Sequence, residues 1–194
     1  MSRPPLVLAS TSSHRRLLLE RLGLPYTAAA PGVDETRSFR EPVTELVRRL
    51  SRAKAEAVMA RHPGALIIGS DQAAEREGEI LGKPGDHATA VQQLTAASGR
   101  YMKFHTGLCL LDTRDGSRRE YVHVTRVQFR RLSAAEIERY LSAERPYDCA
   151  GSFKSEGLGI SLFEGIESDD PSALIGLPLI ALCHFLREAG IDLP

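Results

Sequence analysis

Arg15, Lys54 and Asp71 are charged residues that fall where the pattern around them calls for apolar ones. In the segment after Ser13, the apolar stripe is Leu18, Leu19 and Leu22, and stepping back along helical spacing reaches Arg15. Arg15 then faces the core side of a helix's first turn, while Arg16 faces away. A cation there opposes the positive end of the helix dipole unless an anion joins it. First-turn N–H groups, the hydroxyls of Ser10 to Ser13 and a fork-shaped guanidinium would together cradle a phosphate. The alternative is an arginine paired with a nearby carboxylate. Lys54 lies inside the stripe Val43, Val47, Leu50, Ala57, Val58 of a second helix. Taken alone, a lysine there more often snorkels to the surface. A second inward cation beside the first favours an anion site.

Asp71 follows the apolar run Ala65-Leu66-Ile67-Ile68-Gly69. The end of such a strand is where α/β proteins present catalytic carboxylates, and equally where an aspartate starts a turn. Glu35 is a second candidate carboxylate, with a solvated loop charge as its simpler reading. Lys83, in Gly82-Lys83-Pro84-Gly85, lies on a tight turn within reach of the same crevice. Other motifs fail. Gly78 to Pro84 imitates a phosphate-binding loop but is one residue short, with Pro in place of the metal-binding hydroxyl. Ser51-x-x-Lys54 lacks the companion motifs of the penicillin-recognising enzymes, and no G-x-S-x-G elbow exists. The six histidines have no metal spacing.

These residues need elements to hold them. Leu6 to Ala9 predicts a short buried strand, followed by a helix capped within Ser10 to Ser13 and stopped by Gly23 and Pro25. Residues 26–41 read as loop, Val43 to Arg61 as a long helix, and 65–69 as a strand ending at Ser70-Asp71-Gln72. A hairpin turns around Glu77-Gly78, and Asp86 caps a helix to Ala97. Tyr101–Leu111 and Tyr121–Phe129 pair across Asp115-Gly116. Ser133 to Glu136 is a capping box, and a last helix spans Pro178 to Glu188. The expected fold class is α/β, a mixed sheet flanked by helices in one domain over 1–194.

The 194 residues carry 25 basic and 25 acidic groups, and 42% are hydrophobic. That balance argues against a dedicated nucleic-acid binder, and the 6% aromatic content without Trp offers little for stacking on single strands. Residues 1–62 hold 11 basic and 6 acidic groups, an excess that suits a small anion. No apolar run reaches the roughly 18–20 residues of a membrane span, and the N-terminus is too short in apolar residues for a secretory signal. Three scattered cysteines fit free thiols in a reducing cytoplasm.

Taken in order, Leu8-Ala9-Ser10-Thr11-Ser12-x-x-Arg15-Arg16-x-Leu18-Leu19, Val33-Asp34-Glu35-Thr36, Ala53-Lys54-x-x-Ala57, Gly69-Ser70-Asp71-Gln72 and Gly82-Lys83-Pro84 resemble the Maf family of nucleotide pyrophosphatases. The resemblance covers essentially the whole chain. Ala150 to Gly157 and Leu177-Pro178-Leu179 resemble its YceF subgroup, which acts on N7-methyl-GTP. The dTTP/UTP subgroup carries Thr after the aspartate and Gln where this chain has Glu156.

The resemblance implies an elongated fold like that of the inosine triphosphatases, with two lobes and a central cleft. It also implies cleavage of a nucleoside triphosphate between its α and β phosphates with a divalent metal, magnesium or manganese. Asp71 would be the proton acceptor. Ser10, Arg15, Lys54 and Lys83 would bind substrate, and Glu35 and Asp71 would touch the metal, which makes a carboxylate a poorer base. His14, Gln72 and Glu156 occupy the positions that set base choice. N7-methylation leaves guanine cationic, so a carboxylate at Glu156 suits it. Relatives place a large aromatic such as Trp where this chain has His14, so a looser base preference is expected. The resemblance leaves a homodimer open. A dTTP, UTP or broader modified-nucleotide pyrophosphatase is the alternative within the class. A septum-related interaction protein is the alternative outside it.

Overall fold

The computed structural model describes residues 3–194. It is a mixed α/β protein built on a seven-stranded sheet with parallel and antiparallel pairs. The chain divides into two compact units. Among the described residues, the first comprises 3–71, 106–123 and 170–194, and the second 72–105 and 124–169.

In the first unit, β1 (Leu6–Leu8) pairs in parallel with β2 (Thr27–Ala28) on one side and with the start of β3 (Leu66–Arg76) on the other. β1 and the start of β3 are apolar at every position because both faces are covered. Leu6, Leu8, Leu66 and Ile68 face α1 (Ser13–Glu20) and α5 (Leu179–Glu188), packing against Leu18, Leu19, Leu182 and Leu186. Val7, Ala9, Ala65 and Ile67 belong to the opposite cluster, with Ala55 and Val58 of α2 (Val43–Met59).

Two glycines let α2 lie almost backbone to backbone on the sheet. A Cβ on Gly69 would sit 2.0 Å from the Ser51 carbonyl oxygen and 2.9 Å from the Ala55 nitrogen. One on Gly107, in β5 (Tyr101–Asp112), would sit 2.3 Å from the Val47 carbonyl oxygen. Both obstacles are helix backbone, which cannot rotate aside. Gly69→Ala is therefore expected to lift α2 and cost about 3 kcal/mol, read as a lowered urea midpoint. Lys54 lies between Ser51 and Ala55, so the substitution displaces it as well.

In the second unit, β3 turns into β4 (Glu79–Leu81) through Glu77 and Gly78, both at positive φ, the twist a tight antiparallel hairpin needs. Asp86 caps α3 (His87–Ala97), its carboxylate accepting from the Thr89 N–H at 2.7 Å. Ser133 and Glu136 form the expected capping box on α4 (Ala134–Glu144). Phe104, Phe129, Phe153 and Phe163 pack edge to face, with ring centroids 4.8–5.7 Å apart. β6 (Arg118–Phe129), like β3 and β5, contributes residues to both units, and its later part pairs antiparallel with β7 (Phe163–Glu167).

Three expectations are corrected. β3 does not end at Ser70-Asp71-Gln72 but runs on to Arg76, so Asp71 stands in mid-strand and not at a strand terminus. The stretch 26–41 contains β2, and β7 was not expected. No helix among the described residues is long and apolar enough to cross a membrane. The cysteines Cys109, Cys149 and Cys183 are free, as anticipated.

Candidate active site

Because α2 sits so close to β3, the Lys54 side chain ends at Asp71. Lys54 Nζ lies 2.6 Å from Asp71 Oδ1, with Lys54 6% and Asp71 7% exposed. The same ammonium lies 2.6 Å from Glu35 Oε1, whose side chain reaches in from the largely exposed loop between β2 and α2. Lys54 thus does not snorkel; it joins two carboxylates. A buried ammonium held this way has the partners it needs.

Arg15 completes the cluster. Ser12 caps α1, accepting from the Arg15 N–H at 3.4 Å, and the half-buried Arg15 side chain points inward as its spacing predicted. Its Nε donates to the Gly176 carbonyl at 2.9 Å. Burial pulls the guanidinium below its ordinary pKa, and the charges of Asp71 and Glu35 push it back up. Two cations and two carboxylates therefore share one place, formally neutral among themselves.

The carbonyl that aims Arg15 is itself fixed. The Ser70 hydroxyl lies 2.8 Å from the Gly107 carbonyl and 2.9 Å from that of Gly176 and shares its proton between them. Gly176 has φ of +124°, a conformation that suits a residue without Cβ. Upstream, the Asp170 carboxylate accepts from the N–H and hydroxyl of Ser172, and also from the Ile180 N–H at 2.8 Å. Ser172 in turn accepts from the Leu179 N–H. Asp170 and Ser172 thereby take up the N–H groups of Leu179 and Ile180 in the first turn of α5, whose own cap position is Pro178. Sequence reasoning missed Ser70, Asp170 and Gly176. Ser70 inside an apolar strand was the available signal.

The structure brings together Arg15, Glu35, Lys54 and Asp71. Ser10 is buried just ahead of α1, its hydroxyl accepting from the Ser12 N–H at 3.1 Å, and His14 is half-buried in the helix's first turn. Gln72, Lys83 and Glu156 belong to the second unit. There Gln72 is half-buried in β3, while Lys83 and Glu156 are exposed. Glu144 fixes the segment around Glu156, accepting from the Leu158 N–H at 2.8 Å.

The Maf-like protein family model matches residues 5–189. This chain belongs to the Maf family. A protein of Xanthomonas oryzae pv. oryzae (strain MAFF 311018) named 7-methyl-GTP pyrophosphatase is 55% identical over 193 residues, covering 98% of this chain and 100% of that protein. Proteins of the same name from Alcanivorax borkumensis and Cupriavidus metallidurans are 52% and 53% identical, covering 98% and 97% of this chain and 97% and 95% of their own lengths. Among solved structures, the Staphylococcus aureus Ham1 protein matches with a TM-score of 0.56 at 14% identity, over 95% of this chain and 99% of that one, a likeness of fold. The expected Maf and inosine-triphosphatase-like fold class is thus met, and the chain is an enzyme of the nucleotide pyrophosphatase class.

Proposed function

We propose that this Maf protein hydrolyses N7-methyl-GTP to N7-methyl-GMP and pyrophosphate, with Asp71 as the proton acceptor. The observation that carries the reading is the buried Lys54–Asp71 pair beside Arg15, in a chain more than half identical to proteins named 7-methyl-GTP pyrophosphatase.

Cleavage of a phosphoanhydride asks chiefly for positioning, charge neutralisation and an oriented water. Arg15 and Lys54 bind phosphate oxygens, joined by Ser10 and by the N-terminal turn of α1, where aligned N–H groups favour an anion. Lys83 is assigned to the phosphates on the family resemblance. Lys54 occupies Asp71 Oδ1 and so leaves Oδ2 to take the proton of the attacking water. The ammonium also fixes the plane of the Asp71 carboxylate.

Glu35 and Asp71, the two carboxylates that meet the Lys54 ammonium, offer oxygen donors of the kind magnesium and manganese prefer. Held by Glu35 and Asp71, such an ion would neutralise phosphate charge as the bond to pyrophosphate breaks. His14, Gln72 and Glu156 choose the base, with the Glu156 carboxylate answering the positive charge of the methylated ring. A broader preference that includes dTTP or UTP is the second reading, favoured by His14 in place of a large aromatic.

Pyrophosphate release from N7-methyl-GTP, GTP, dTTP and UTP, with and without magnesium, tests the proposal. The highest kcat/KM is expected for N7-methyl-GTP, with loss of turnover on chelation. A ranking led by dTTP or UTP supports the second reading, and no release from any of them overturns both. Glu156→Gln is expected to reduce the preference for N7-methyl-GTP over GTP by about tenfold, the scale of one lost charge interaction. An unchanged preference removes Glu156 from base selection.

A further inference from the structure

Glu35 is 60% exposed in its side chain, yet its carboxylate meets a buried ammonium, so the loop bearing it must be held from elsewhere. The holding group is Arg49, five residues before Lys54 on α2. Its Nε donates to Glu41 Oε1 at 2.7 Å and its Nη2 to Glu41 Oε2 at 2.9 Å, a two-pronged fork. The same Nη2 reaches the carbonyl of Thr36, the residue after Glu35, at 3.1 Å. Glu41 gathers the rest of the loop. Its carboxylate accepts from the Ser38 N–H at 3.1 Å, and its carbonyl accepts twice from Arg37, at 2.9 and 2.6 Å. The Glu41 side chain is only 11% exposed, and hydrogen bonding from Arg49 holds its pKa down at about 2. One helix therefore grips the loop twice, at the Glu35 carboxylate through Lys54 and at the adjoining backbone through Arg49.

We propose that Arg49 and Glu41 are positioning residues, a latch that sets Glu35 against Lys54 and toward a divalent cation. The inference rests on the proposed function for its use in turnover and on the loop's geometry for its existence. As a latch, the pair acts through the position of Glu35, which distinguishes it from a general contribution to folding.

The test compares Arg49→Met, Glu41→Gln and Arg49→Lys, alone and in a Glu35→Gln background. The readouts are Mn2+ affinity by electron paramagnetic resonance titration, the magnesium concentration at half-maximal turnover of N7-methyl-GTP, and the thermal midpoint. Arg49→Met and Glu41→Gln are each expected to weaken Mn2+ binding by about tenfold, as losing an orienting partner of a metal ligand does. The magnesium requirement should rise in parallel, with kcat at saturating magnesium within about threefold of wild type. Arg49→Lys, which keeps the charge without the fork, should fall between. In the Glu35→Gln background the same substitutions should add less than about twofold. Phe39→Ser, at an exposed loop position, should change nothing. Should Arg49→Met unfold, Glu41→Gln carries the comparison with the salt partner's shape retained. Additive losses, or Mn2+ affinity unchanged by either latch variant, overturn the proposal. Absence of turnover in the wild type counts against the proposed function instead, and the Mn2+ titration still decides the latch.

Discussion

Asp71→Asn is expected to lower pyrophosphate release from N7-methyl-GTP by about three orders of magnitude, within the range general-base catalysis supplies. Asparagine has the shape of aspartate and can still accept from Lys54 through its Oδ1. The ammonium therefore stays in place, and with it the contact to Glu35 at 2.6 Å. The variant loses the negative oxygen that takes a proton from water. Its thermal midpoint should stay within a few degrees of wild type, and nucleotide affinity should change only severalfold. Steady-state kinetics with calorimetric binding separate these quantities. Pyrophosphate release within tenfold of wild type would show that another group takes the proton.

The second large effect is expected at Lys54. Lys54→Met keeps the bulk of the side chain and removes the charge between two carboxylates, one of them 7% exposed. Removing one partner of a buried ion pair leaves the other uncompensated, at a cost of about 3–5 kcal/mol. Arg15 remains as a cation near Asp71, so the lower end of that range is expected. Urea denaturation reads the loss as a lowered midpoint. The double variant Lys54→Met with Asp71→Asn removes both charges and should regain most of the stability. It should regain none of the turnover. Equal destabilisation in the single and double variants would mean that Lys54 contributes packing and not charge.

Arg15 and Lys54 were legible because each violates a short-range rule, the periodicity of its own helix, and such a violation needs a local reason. Asp71 was legible as a residue but not in its setting. Ser70-Asp71-Gln72 reads as a polar turn because sequence cannot show that Ser70 is satisfied by carbonyls at positions 107 and 176 and Asp71 by residue 54. With those partners, the strand runs on through its polar residues. The two-residue β2 and the largely exposed β7 carry no alternating pattern, and pairing with a neighbour alone makes them strands. The caps at Ser12, Asp86 and Ser133 were legible because a cap is decided within three residues. Glu35 was legible as a candidate carboxylate but not in its setting, since its role depends on a loop tied down by Arg49, and loops of that kind have no period.

One cluster of two cations and two carboxylates is expected to cleave a nucleoside triphosphate between its α and β phosphates. Phosphorus NMR of N7-methyl-GTP during turnover by the wild-type protein with magnesium tests it most directly. Growing signals of pyrophosphate and a nucleoside monophosphate are predicted, and they should be missing from the same reaction with Asp71→Asn. Orthophosphate with a nucleoside diphosphate as the products, or no change in the wild-type spectrum, would contradict it.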